Sequence, residues 1–209
     1  MYDEKIRAKE EICRIMRRTY ECGLTTSLGG NISMRLGSLM LITPSSLDKA
    51  SLSVDDIAEV DIESGENLTK SLRLSIESSM HRLIYLKRKS AVAVLHAHPV
   101  YSSLFSSSSE EIRTDITAES YYQLGRVKKT PYALMGSLEL AERVSGDALS
   151  SSALLMEKHG AITISDKSLL DALERLECLE RAARMSLFAR FLTLEGLNDE
   201  EKKELDKMK

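Results

Sequence analysis

Hydrophobic positions along this chain switch between helical and strand spacing, segment by segment. Over residues 4–21, Ile6, Ile12, Ile15, Met16 and Thr19 fall near helical spacing with charges between them, and Gly23 supplies a stop. Two short strands at 32–36 and 39–43 are expected to pair as a hairpin across Gly37-Ser38, with Pro44 closing the second. Residues 48–58 read as loop and short helix, and 58–62 alternate as a strand. A helix is expected over 76–88 with Ser75 as its N-cap. Residues 91–97 form a near-continuous apolar run, the mark of a strand buried on both faces. Pro99 then opens a helix to about residue 105.

The second half is less regular. Residues 106–130 hold serines, charges and the pair Tyr121-Tyr122, and read as loops around a short helix or strand. A serine-capped helix is predicted over 137–149, then strands at 153–156 and 161–164 paired around Lys158-His159-Gly160. A long helix over 168–194 carries Leu169, Leu170, Leu173, Leu176, Leu179 and Ala183 on one side. The charged segment 196–209 reads as a last helix or a frayed end. Helices and strands interleave with no repeat and no linker. The pattern predicts one α/β domain over 1–209 with a mixed, mostly antiparallel sheet.

Composition narrows the function. The 209 residues are 43% hydrophobic and 29% charged, with a net charge of -3, which suits a globular protein and gives no basic patch for nucleic acid. The absence of Trp argues against a base-stacking surface. The longest apolar run is too short to span a bilayer, and the opening residues are charged, so a cytoplasmic location is expected. Cys13, Cys22 and Cys178 are odd in number and widely spaced, which suggests neither a disulfide framework nor a thiolate metal site.

The strongest chemical signal is His96-Ala97-His98 at the end of the apolar strand. Alternation puts both imidazoles on one side, where they can reach a single cation. Only four histidines occur in the chain, and His159 lies on a turn from which a third ligand could enter. Three imidazoles leave a position open, as catalytic rather than structural sites do. Glu77 lies on the preceding helix, with His81 one turn on and expected to be packed or hydrogen-bonded behind the site. Thr26-Ser27-Leu28-Gly29-Gly30-Asn31, the turn Thr43-Pro44-Ser45-Ser46, and Ser75 at a helix start are three donor-rich turns that could meet at a phosphate.

Taken in order, these pieces resemble the class II aldolase/adducin family, in particular its fuculose-1-phosphate aldolase type. The matching elements are Gly29-Gly30-Asn31-Ile32-Ser33, Ile42-Thr43-Pro44-Ser45, Glu77, His96-Ala97-His98-Pro99, Pro131-Tyr132 and Lys158-His159-Gly160. The resemblance implies a three-layer α/β/α fold and a Zn2+ ion, or another divalent first-row metal, on His96, His98 and His159. It implies Glu77 as the acid/base, and Asn31, Ser45, Ser46 and Ser75 as the residues that hold a sugar phosphate. It also implies a homotetramer with interfacial sites. The expected reaction is cleavage of a phosphorylated ketose to dihydroxyacetone phosphate and an aldehyde through an enediolate. Sugar-phosphate 4-epimerases and methylthioribulose-phosphate dehydratases share that chemistry, and adducin-like members are interaction modules without it. The chain departs from the aldolase type at Ile76, where a second serine is usual, at Ser46, where glycine is usual, and at Ser78, where an aromatic is usual. A tyrosine of the loop after the metal strand falls near Thr117, leaving Tyr121 or Tyr122 to take its place.

Overall fold

The computed structural model describes residues 2–208. Helix α1 (Tyr2–Glu21) leads into β1 (Asn31–Leu36) and β2 (Leu39–Ile42), and a single 3-10 turn (Val54–Asp56) precedes β3 (Ala58–Asp61). Then come α2 (Ser78–Lys87), β4 (Ala93–Ala97), α3 (Val100–Ser106), α4 (Ala118–Leu124) and β5 (Lys128–Thr130). The chain continues with α5 (Leu138–Asp147), β6 (Ala153–Met156), β7 (Gly160–Ser165), α6 (Leu169–Phe188) and α7 (Asp199–Asp206).

The strands form one seven-stranded sheet in the order β3-β2-β1-β4-β7-β6-β5. Every pairing is antiparallel except β5 with β6. Side chains alternate across it, as strand geometry requires. Ile32, Leu41, Leu95, Leu155 and Ala161 meet α1, α3, α4 and α6 on one face. Met40, Ile42, Val94, Leu154 and Ile162 meet α2 and α5 on the other. The result is the expected three-layer α/β/α architecture. Leu173, Leu176 and Leu179 of α6 are all fully buried, each stabilising the fold by about 1.5–3 kcal/mol relative to exposure. No helix among the described residues is long and apolar enough to cross a membrane.

Two local expectations change, and two that stood open are resolved. Ser75 does not cap α2. The chain beside it is still engaged at the Pro44–Leu74 bridge, and residues 75–77 make a separate turn closed by Ser78 N–H to Ser75 O at 3.0 Å. The helix therefore starts at Ser78, with Glu77 at its N-cap position. The Ser75 hydroxyl instead accepts from Glu77 N–H at 3.3 Å. Helix α6 stops at Phe188, short of residue 194: Leu187 is the last of its side chains packed against the core, and Phe188, Phe191 and Leu192 are exposed. Residues 106–130 contain both a helix, α4, and an edge strand, β5. The tail forms α7, nucleated by a capping box in which Asn198 and Glu201 satisfy each other's backbone N–H groups.

One long-range cap bears on the site. The Glu180 carboxylate of α6 accepts from Tyr101 N–H, Ser102 N–H and Ser102 Oγ, each at 2.8 Å. An anion at a helix start is favourable, and this one fixes α3 immediately after His98-Pro99.

Candidate metal centre

β4 sits between β1 and β7, and its register brings His96 opposite Asn31 on one side and Ile162 on the other. His96 is completely buried. Its Nδ1 lies 2.8 Å from Ala161 O. A carbonyl only accepts, so Nδ1 carries the proton and Nε2 presents a lone pair. His98 lies one residue past β4, held by its N–H donating to Leu24 O at 3.0 Å. His159 comes from the tight β6–β7 turn.

The three rings converge. Centroids are 4.7 Å apart for His96–His98, 4.9 Å for His96–His159 and 5.5 Å for His98–His159. Each offers a ligand atom within 4.8 Å of the others. Two glycines make room for His98. A Cβ on Gly29 would lie 2.9 Å from its Nδ1, and a Cβ on Gly160 would lie 2.7 Å from its Cδ2. These glycines allow the turns to close on the ring, a role distinct from any donation to an anion.

Glu77 is also buried, and its two oxygens face two of the imidazoles: Oε2 is 3.3 Å from His96 Nε2 and Oε1 is 3.2 Å from His159 Nε2. Asn31 Nδ2 donates to Oε2 at 2.8 Å. His96 Nε2 and Glu77 Oε1 nevertheless lack a hydrogen-bond partner. A lone pair facing a carboxylate oxygen in a buried site has no donor between the two atoms, an arrangement that a cation satisfies. The donor set, nitrogen-rich with one carboxylate alongside, suits a divalent first-row metal.

Electrostatics agree with that role. Burial alone would raise the Glu77 carboxyl, but His96, His159 and the Asn31 hydrogen bond outweigh it and hold the group below the usual carboxylate range. Burial lowers His98 to about 3, reinforced by His96 and His159 and opposed by Glu77. His159 is lowered for the same first reason, burial, with His96 adding to it and Glu77 opposing. Neutral imidazoles are the form that binds metal. His81 stands behind the site as expected, fully buried, with Nδ1 2.7 Å from Ser33 Oγ, which in turn lies 2.9 Å from Tyr85 OH.

A cleft of about 250 Å³ opens onto His98, His159 and Glu77 and is also lined by Asn31, Ser45, Ser75 and Lys49. Seven of the eight expected site residues thus gather in or directly behind one cleft. Ser46 is not among its lining residues; it is exposed, its Oγ is 3.4 Å from Ser45 Oγ, and it keeps a positive φ of 62°, a conformation that favours glycine. Thr117 caps α4. Tyr121 and Tyr122 turn toward α7, donating to Asp206 and to Met208 O, and neither lines the cleft. Lys49 was not singled out by sequence pattern. A lone Lys between Asp48 and Ala50 carries no signal of burial.

An open three-histidine centre with a carboxylate alongside, set on a mixed sheet between two helical layers, is the site of a metal-dependent enzyme. Residues 10–187 match the Class II Aldolase and Adducin N-terminal domain, and the chain belongs to that family. It is a metal-dependent lyase, and class II aldolases use a divalent metal. The L-fuculose phosphate aldolase of Methanocaldococcus jannaschii is 31% identical over 179 residues, 86% of this chain and 95% of that protein. The 3-oxo-tetronate 4-phosphate decarboxylase of Haemophilus influenzae is 31% identical over 208 residues, 95% of each chain. A solved L-fuculose 1-phosphate aldolase superposes with a TM-score of 0.88 at 28% identity, covering 97% of this chain and 95% of that one.

Two outcomes are expected of the centre. In Gly160→Ala the new Cβ would meet Ala97 O at 2.6 Å as well as the His98 ring. Zinc affinity should fall at least about tenfold, given what misplaced supporting groups cost metal sites; competition with a chromophoric chelator measures it, and wild-type affinity would contradict the geometry. The second outcome concerns pH. His81 and His98 are held at about 3 against an ordinary value of 6.5, both by burial first, with His96 adding and Glu77 opposing in each case. Between about 6.5 and 3 the unfolded chain binds protons that the native one does not, so this contribution to stability is complete above the window and lost as pH falls through it. The thermal midpoint of the metal-free protein should drop as pH is lowered below about 6.5. A flat midpoint across the window would contradict the burial of these rings.

Proposed function

We propose that this chain is a zinc-dependent aldolase that cleaves a ketose 1-phosphate of the fuculose type to dihydroxyacetone phosphate and an aldehyde. One observation carries the reading: Glu77 faces His96 and His159 at 3.2–3.3 Å, in the same cleft as Asn31, Ser45 and Ser75. His96, His98 and His159 hold the metal in this reading. A divalent cation bound there supplies Lewis acidity, drawing off the charge that develops on a ketone oxygen.

The residues do the rest. Cleavage turns the hydroxyl of one carbon into an aldehyde, releases its proton, and leaves the C–C electron pair on the ketone fragment as an enediolate. That carbon then takes up a proton. Glu77, held ionised in a buried position, accepts a proton in one half of the cycle and returns it in the other. Asn31 fixes the carboxylate through its Nδ2 donation, so the proton acceptor does not rotate away. Ser45 and Ser75 supply hydroxyl donors for the phosphate at the mouth of the cleft, where Ser46 stands on the same turn. We also propose that the chain works as one class II aldolase-like domain over 1–209 and assembles as a homotetramer. Leu28, Ile76 and Met135 line this cleft yet are 63%, 50% and 60% exposed, a rim that a neighbouring subunit would cover.

A second reading has its own support. The Haemophilus influenzae relative named as a 3-oxo-tetronate 4-phosphate decarboxylase matches 95% of this chain, against 86% for the Methanocaldococcus jannaschii aldolase, at the same 31% identity. Loss of carbon dioxide from a 3-oxo acid leaves an enediolate of the same kind, needing the same protonation by Glu77.

Product analysis separates the two. Zinc-loaded protein given L-fuculose 1-phosphate should release dihydroxyacetone phosphate, detected by a coupled reduction. Release from 3-oxo-tetronate 4-phosphate alone would favour decarboxylation, and release from neither would sink both. Glu77→Gln should retain zinc and lose about 10²–10⁴ in kcat. Light scattering should return four chain masses.

A further inference from the structure

One charged side chain in the cleft takes no part in the metal centre. Lys49 is only 1% exposed. Its Nζ donates to Pro44 O at 2.6 Å, its one side-chain hydrogen bond among the described residues. No carboxylate among the described residues lies within ion-pairing distance of it. Buried cations are ordinarily paired, because an isolated one is costly to remove from water. Burial lowers the amine to about 8, with Asp48 pulling weakly the other way.

An ammonium has three donors, and the Pro44 carbonyl uses one. The remaining valence belongs to a residue that shares the cleft wall with Ser45, Ser75 and Asn31. The loop is well fixed: Lys49 N–H donates to Ser27 O at 2.8 Å, and Ser45 N–H donates to Arg73 O at 3.0 Å. These two bonds tie the lysine loop to both neighbouring walls. On the same wall Ile76 offers no side-chain donor.

We propose that Lys49 binds the phosphate of the substrate, its ammonium supplying the charge and the donors that Ile76 does not. This rests on the sugar-phosphate reading of the cleft. It explains why the chain keeps an unpaired cation where an apolar side chain would fill the space at no electrostatic cost. It also makes Lys49 a determinant of specificity: an unphosphorylated ketose leaves the ammonium without its counter-charge.

The test uses the zinc-loaded full chain and inorganic phosphate as probe, followed by calorimetry, with thermal unfolding in parallel. Lys49→Met should weaken phosphate binding about tenfold or more, as loss of a charge-assisted contact does, and leave the thermal midpoint unchanged or raised. Lys49→Arg should keep phosphate affinity within about threefold of wild type. With a substrate that turns over, Lys49→Met should raise KM about tenfold while kcat changes far less. Unchanged phosphate affinity with a lowered midpoint would overturn the proposal, leaving Lys49 as a brace for the Pro44 carbonyl. Failure of wild type to bind phosphate, or competition by acetate as strong as by phosphate, would also overturn it. Phosphate binding that depends on Lys49, in a protein that releases no dihydroxyacetone phosphate, would uphold this assignment and reject the reaction.

Discussion

The register of β4 between β1 and β7 is the constraint on which the site depends. His96 pairs with Asn31 across one ladder and with Ile162 across the other, and its Nδ1 proton goes to Ala161 O. A slip of one residue would turn His96 to the opposite face. The lone pair would leave Glu77, Asn31 would lose its place beside the carboxylate, and the β6–β7 turn would bring His159 to an empty point. That register is held by burial on both faces: Val94 packs with the α2–α5 side while Leu95 and Ala97 pack with the other.

Within that frame, the buried polar groups form two complementary centres. Around His96, lone pairs and a carboxylate face one another with no donor between them, which calls for a cation. A short way along the same cleft, an ammonium sits with a single carbonyl, which calls for an anion. A ketose phosphate carries both needs in one molecule: oxygens that ligate a metal at one end and a dianion at the other. Binding energy gathered at the phosphate can then serve the step at the reacting carbons.

Much of this was legible in the chain. The strand pair β1–β2, the apolar β4 and the β6–β7 hairpin stand out because buried antiparallel strands show clear apolar runs and Gly turns. The metal residues were visible because His96-Ala97-His98 is rare in a chain with four histidines, and the order of scattered motifs carried the family. Other features were hidden for physical reasons. β5 is three residues long at a sheet edge and reads Lys-Lys-Thr, too short and polar for any period. The end of α6 depends on where its packing against the core stops, and Ser75 looked like a cap because its role beside Pro44–Leu74 is tertiary. Lys49 is invisible by type, since lysines are seldom buried. The steric role of Gly29 and Gly160 exists only once His98 lies between them.

The measurement that tests the central claim most directly is hydrogen exchange at carbon. Both the aldolase and the decarboxylase readings place Glu77 beside the enediolate of dihydroxyacetone phosphate, so the zinc-loaded enzyme in heavy water should exchange a single carbon-bound proton of that compound, with no aldehyde present. Proton NMR would show loss of one of the two equivalent hydroxymethyl protons, abolished by a chelator and by Glu77→Gln. Absence of exchange in zinc-loaded protein that binds dihydroxyacetone phosphate would contradict the account.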